Sequence, residues 1–190
     1  MSKKFVSRTE VPFAEDGENT FGLKVFREVW SVNGREKIFW KYGLPDSVQI
    51  FAMTTNGEVI AISEFQPSVG LDYLHLPGET FDPGETDPLV VADRGLLEEV
   101  GYQAGSRELL SSVLENSGRS DRLIHIVLMR ECVKVSWSEP GIVSVLMSPD
   151  DFWTELLSYF ETAPASPHGG GNTLKATALA LDKLGFLRIP

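Results

Sequence analysis

Asn56-Gly57 stands between two apolar, β-prone runs, Ser47–Thr54 (SVQIFAMT) and Glu58–Glu64 (EVIAISE), and this pairing narrows the fold more than any other feature. Asn-Gly is the dipeptide best able to adopt positive φ at both central positions of a tight turn, so the two runs are predicted to fold back as an antiparallel hairpin. Asn33-Gly34 plays the same part between Lys24–Trp30 (KVFREVW) and Lys37–Tyr42 (KIFWKY). Residues 1–45 therefore read as a short-strand module, with residues 46–190 as the main domain. Tyr73–Leu76, Leu109–Leu114, Leu123–Arg130 and Ile142–Met147 are further strand candidates.

Three helices are predicted from their starts and stops. Asp87-Pro88 is an N-cap with proline at the first helical position, and Gly101 stands where that helix should end. The same opening recurs in Ser148-Pro149-Asp150-Asp151, ahead of Phe152–Phe160, with acids placed favourably against the helix dipole. Asn172 is expected to cap Leu174–Leu184, which Gly185 ends. Strands outnumber helices and do not alternate regularly with them, so the class is α+β or mixed α/β rather than a doubly wound sheet.

With Lys+Arg 17 against Asp+Glu 27, the formal net charge is −10. Such a balance argues against a nucleic-acid backbone or an anionic membrane as the main partner. Cys132 is the single cysteine, so neither an intrachain disulfide nor a cysteine-based zinc site can form. The N-terminal stretch MSKKFVSRTE is charged and does not read as a signal peptide, and no apolar run approaches the ~18 residues of a membrane span. The expectation is a soluble cytoplasmic protein.

The chemistry concentrates in Leu74–Tyr102, LHLPGETFDPGETDPLVVADRGLLEEVGY. A Gly/Pro-rich loop leads into the first helix, which carries Glu98 and Glu99; positions 95, 98 and 99 lie within one turn of each other. Clustered carboxylates over a loop rich in backbone donors and acceptors suit hard cations such as Mg²⁺. The plainer reading is that adjacent glutamates near a helix end lie on a solvated face.

This segment resembles the box of the Nudix hydrolases, G-x5-E-x7-R-E-U-x-E-E-x-G-U with U a bulky aliphatic residue. Arg94-Gly95-Leu96-Leu97-Glu98-Glu99-Val100-Gly101-Tyr102 follows its second half and Pro83-Gly84-Glu85 its centre. The likeness extends towards the ADP-ribose pyrophosphatase branch through Leu74–Gly78, Gly118-Arg119-Ser120-Asp121 with Ile124-His125, and Glu64-Phe65-Gln66-Pro67. It covers roughly residues 40–150. The resemblance implies an α/β/α sandwich with a mixed sheet, the first helix packing Leu89, Ala92 and Leu96 inward. It also implies hydrolysis, with Mg²⁺ or Mn²⁺, of a nucleoside diphosphate linked to another moiety such as a sugar.

Carried over residue by residue, Glu98 and Glu99 would be metal ligands together with the main-chain carbonyl of Gly78. Glu85 would orient the helix or a metal-bound water. Glu139, in the loop Ser136–Gly141, is the catalytic-base candidate beside Glu99, and Arg94 would position the glutamates by ion pairing. The alternative for Glu139 is a solvated loop acid. Gln66, Gly118 and Ser120 fall in substrate-binding stretches. Trp30, Phe39 and Trp40 belong to a module that in the resembling enzymes crosses a homodimer interface and stacks on the base; stacking of that kind contributes ~1–3 kcal/mol. Core or interface packing explains those aromatics equally well. His75 and His125, each between apolar neighbours, read as satisfied sheet histidines, and His168 lies beside a glycine run.

The departures cluster in the site. Gly95 replaces the first glutamate of the helix motif, Glu79 stands where the first box glycine is expected, and one extra residue separates Glu85 from Arg94. His75 replaces a glutamate, Gln66 an arginine, and Arg122 a further acid. A mid-helix glycine costs ~1 kcal/mol relative to alanine, so helix stability does not favour Gly95. Drift after loss of activity, close packing and an introduced substitution all remain open. Asp93, Glu79 and Asp121 are candidate substitutes for the missing ligand. Two functions compete: a metal-dependent pyrophosphatase with impaired turnover, and a Nudix-fold module that binds a nucleotide or nucleotide sugar without hydrolysing it. A purely structural protein explains none of the acid spacing.

Overall fold

The computed structural model describes residues 2–12, 22–66, 70–162 and 170–187; His168 and Pro67 lie outside them. The chain divides into two compact units, Met1–Asp46 with Leu114–Leu123, and Ser47–Val113 with Ile124–Pro190.

The first unit is an antiparallel three-stranded sheet, β1 (Lys3–Val11), β2 (Lys24–Val32) and β3 (Arg35–Gly43), with β2 central. The β2–β3 turn takes the predicted form, with φ 53° at Asn33 and 76° at Gly34. Strand β1 was not legible in the sequence, because its KKFVSRTEV carries no apolar alternation and is almost wholly exposed. Its pairing with β2 holds it, helped by Arg8, which bonds Glu28 at 2.9 Å and Asp121 at 2.6 Å. Within this unit Ser120 is buried and bridges Tyr42 in parallel.

The second unit is a mixed sheet between helices. Among the described residues eight strands form it: β4 (Ser47–Thr54), β5 (Val59–Gln66), β6 (Leu71–His75), β7 (Gly78–Thr80), β8 (Tyr102–Gln103), β9 (Ser106–Leu114), β10 (Leu123–Lys134) and β11 (Val143–Met147). The main path runs β11-β5-β4-β10-β8, with β6 on β5, β7 on β4 and β9 on β10. The β4–β10 pairing is parallel, from Ile124 opposite Ser47 to Met129 opposite Ala52.

Strand periodicity then sorts side chains into two layers. Val48, Ile50 and Ala52 of β4 pack with Val91, Ala92, Leu96 and Val100 of α1 (Pro88–Val100). Phe51 and Met53 of the same strand pack with Phe152 and Leu156 of α2 (Pro149–Thr162) and with Ala176, Ala180 and Leu181 of α3 (Gly170–Lys183). This is the expected α/β/α sandwich, and Leu89, Ala92 and Leu96 do face the core.

Three local expectations change. The β4–β5 hairpin is not a two-residue turn: Gly57 takes φ 82°, while Asn56 is not among the positive-φ residues. The Thr54 hydroxyl accepts from the Asn56 and Glu58 N–H groups, both at 3.2 Å, and so stabilises a longer loop with the glycine in the left-handed position. Helix α3 begins at Gly170 rather than after an Asn172 cap, and Thr173 and Ala176 are buried along its early turns. The Gly/Pro-rich stretch after Leu76, read as loop, contains β7, whose Gly78, Glu79 and Thr80 pair with Gln49, Val48 and Ser47.

Candidate active site

Helix α1 owes its position to its two ends. Asp87 caps it, accepting from the Leu89 N–H at 2.9 Å, and Pro88 opens the first turn. Gly101 closes it at φ 68°, where an added Cβ would come within 2.3 Å of the Ser136 carbonyl oxygen. The helix's last turn carries no basic residue of its own. The segment after β10 supplies partners instead: Lys134 Nζ donates to the Val100 carbonyl at 2.6 Å, and the N–H groups of Val135 and Ser136 donate to that of Gly101. The Glu139 N–H donates to the Glu99 carbonyl at 3.1 Å, which fixes the loop carrying Glu139 over the end of α1.

Glu99 points inward and its carboxylate accepts from the Gly78 N–H at 3.0 Å. Burial pushes its pKa up to about 8; the Gly78 hydrogen bond opposes this, and the nearby charges of Glu79, Glu64 and Glu139 reinforce it. Glu64, Glu99 and Glu139 line one cleft of about 380 Å³ with Phe65, Pro140, Gly141 and Ile142. Adjacent in sequence, Glu98 is exposed and lies 3.8 Å from Arg94 Nη1.

Arg94 organises the remaining acids. Its Nη2 donates to the Glu85 carboxylate and the Thr80 carbonyl, both at 2.9 Å, and its Nη1 meets Glu79 at 3.0 Å. Glu85 also accepts from the Asp82 N–H at 2.7 Å, and this bond, with Arg94, holds its carboxyl below the usual range. Arg94 Nε is buried without a hydrogen-bond partner among the described residues.

The neighbouring strands complete the wall. Glu64 and Gln66, two apart on β5, share a face and bond each other at 2.6 Å. His75 reaches Glu64 at 3.1 Å and the Leu76 carbonyl at 3.0 Å, so it is bonded at both ring nitrogens. Glu64 was not singled out in the sequence, although its i, i+2 relation to Gln66 was the available signal. Of the candidate substitutes, Asp93 pairs with Arg107 on another face of α1, Asp121 pairs with Arg8 in the first unit, and Glu79 lies against Gly95. The remaining substrate-binding candidates belong to the first unit. Trp30 donates to Glu28 at 2.9 Å and meets Phe5 edge-on, Trp40 is exposed, and the Gly118 N–H bonds Asn116.

The donor types suit a hard divalent cation. Glu99 shares its cleft with Glu64 and Glu139, and the Gly78 carbonyl oxygen faces α1, 3.3 Å from where a Cβ on Gly95 would stand. Among the described residues no three His, Cys, Asp or Glu side chains stand close enough together to hold a metal ion by themselves, so main-chain oxygen and water would have to complete the set. None of the described helices is long and apolar enough to cross a membrane.

A methanol dehydrogenase activator of Bacillus methanolicus is 28% identical over 86 residues, which is 45% of this chain and 46% of that protein. An ADP-ribose pyrophosphatase of Bacillus subtilis strain 168 is 28% identical over 87 residues, 46% of each chain. The chain thus spans about half the length of these relatives. A solved structure of an ADP compounds hydrolase superposes with a TM-score of 0.75 over 98% of both chains at 18% identity, a likeness of fold. The NUDIX domain model matches residues 43–164, which takes in the whole carboxylate cluster around α1, and the chain belongs to that family.

Proposed function

We propose that the chain is a metal-dependent pyrophosphatase that hydrolyses a nucleoside diphosphate joined to another moiety, ADP-ribose or another nucleotide sugar, with Mg²⁺ or Mn²⁺. The observation that carries this reading is Glu99: a half-buried carboxylate on the wall of an open cleft with Glu64 and Glu139, bearing also the charge of Glu79. Such a group stays protonated through neutral pH unless a cation offsets its charge, which makes it a candidate ligand. That the Bacillus subtilis relative is an ADP-ribose pyrophosphatase supports the choice of substrate class.

In the reaction water attacks one phosphorus, the bond from that phosphorus to the bridging oxygen breaks, and two phosphate monoesters leave. A divalent cation, when bound, neutralises charge on the phosphoryl oxygens and acidifies its water. Glu99, Glu98 and the Gly78 carbonyl would hold it. Glu139 accepts the proton of the attacking water, a role supported by its place on the cleft wall with Glu99. Arg94 and Glu85 hold β7 and α1 in register, and Gln66 contributes to substrate binding. Phe5, Ile38, Phe39 and Trp40 are exposed on the first unit, which supports a second copy of the chain as its partner, with Trp30 and Trp40 contacting the base and Gly118 and Ser120 contributing to substrate binding. A single buried thiol is in keeping with a cytoplasmic setting.

The test is product release from a panel of nucleotide sugars and dinucleotides with Mg²⁺, Mn²⁺ or EDTA. Metal-dependent cleavage of one compound class is expected. No cleavage, with thermal stabilisation by the same compounds, would instead establish a binding module.

A further inference from the structure

We infer that Glu79 and Gly95 are an exchanged pair, in which the carboxylate missing from α1 is delivered from β7 by Glu79 into the space that Gly95 leaves open. The inference rests on the metal-dependent reading above and names a residue that reading does not use.

The two departures from the box are reciprocal, a glutamate where glycine is expected and a glycine where glutamate is expected. The structure brings the two positions into contact. A Cβ built on Gly95 would lie 2.6 Å from Glu79 Cβ, closer than real Cβ atoms approach, and a tight 3.3 Å from its Cγ. Position 95 is buried, and the obstruction is the near end of the Glu79 side chain rather than its flexible tip. Any side chain at 95 therefore competes with Glu79 for one volume.

Position 79 tolerates a side chain because it is ordinary strand, opposite Val48, and is not among the positive-φ residues. From there the carboxylate reaches the acid cluster. One oxygen meets Arg94 Nη1 at 3.0 Å, the same atom that lies 3.8 Å from Glu98, and Glu79 is the carboxylate whose charge bears most on Glu99. The other oxygen accepts from the Thr80 N–H at 2.7 Å, which orients the group. Asp93 and Asp121 are each paired elsewhere, with Arg107 and Arg8. A carboxylate from the strand thus keeps the charge count of the site, and Gly95 is the residue that makes room for it.

The experiment is a mutant cycle on the full chain, read by thermal midpoint in EDTA and by Mn²⁺ binding from the resonance of free Mn²⁺. Gly95→Ala is expected to lower the midpoint by about 2–4 °C or more in the wild-type background. In the Glu79→Gly background the same change should raise it, because the clash is gone and alanine is the better helix former. Glu79→Gln, which keeps the side-chain volume, should weaken Mn²⁺ binding roughly 10–100-fold. The double change Glu79→Gly/Gly95→Glu should return it to within a few-fold of wild type. Equal destabilisation by Gly95→Ala in both backgrounds overturns the exchange, as does wild-type Mn²⁺ affinity in Glu79→Gln. If the wild-type chain itself binds no Mn²⁺, the proposed function fails and the exchange falls with it.

Discussion

Replacing Glu99 by glutamine isolates the charge at the centre of the site. The folded protein holds this carboxyl at a pKa of about 8, against an ordinary value near 4.5. Below 4.5 both folded and unfolded chains carry the proton, so the group contributes no pH dependence. Between 4.5 and about 8 the folded state keeps a proton that the unfolded chain has released, so stability falls as pH rises. The slope approaches about 1.4 kcal/mol per pH unit, and the whole window amounts to about 5 kcal/mol. Glutamine keeps an oxygen to accept from the Gly78 N–H, 3.0 Å away in the native site, yet never ionises. In EDTA, urea denaturation at intervals from pH 5 to 9 should show Glu99→Gln close to wild type at pH 5. The variant should then become the more stable by several kcal/mol at pH 8 and above. Divalent cation should reverse the order at high pH, since it binds only the ionised wild-type group and binding to the native state adds stability. Parallel curves for the two proteins across the range would refute the reasoning, because Glu99 would then titrate as an ordinary solvated acid.

Arg94→Lys should destabilise the protein by about 2–4 kcal/mol by denaturant midpoint, because one ammonium cannot replace the contacts to Glu79, Glu85 and the Thr80 carbonyl. Gly101→Ala should cost at least about 2 kcal/mol, combining left-handed backbone at φ 68° with a Cβ placed 2.3 Å from the Ser136 oxygen; a Tm within a degree of wild type would contradict this. The Cys132 thiol, pushed up to about 11 by burial, should react with a thiol reagent at neutral pH only as fast as the protein unfolds. Rapid labelling of native protein at pH 7 would contradict that expectation.

How far the sequence could be read follows from which signals are local. The ends of α1 were plain because Asp87, Pro88 and Gly101 act through their own backbone geometry, and the structure uses all three. Strand β1 was hidden because its residues, exposed in the fold, take their order from pairing with β2. Strand β7 was hidden inside a Gly/Pro-rich stretch because three residues carry no periodicity; only alignment on Ser47–Gln49 makes them a strand. The family resemblance names Glu99, Glu139 and Arg94 and puts Glu99 ahead of Glu98 as a ligand, without a physical reason that separates the two. Packing separates them, turning one towards Gly78 and leaving the other at the surface.

The sequence by itself determined the elements whose causes lie within a few residues: the capped starts of α1 and α2, the Asn33-Gly34 turn, alternating core strands and the family motif around Arg94. Only the tertiary structure decided what Gly95 is. Read along the chain it is a helix-weakening gap in an acidic motif. In the fold it faces Glu79, 16 residues earlier, across the space between β7 and α1. Excluded volume acts between atoms close in space, and the register of β7 on β4 is what brings these two residues within each other's reach.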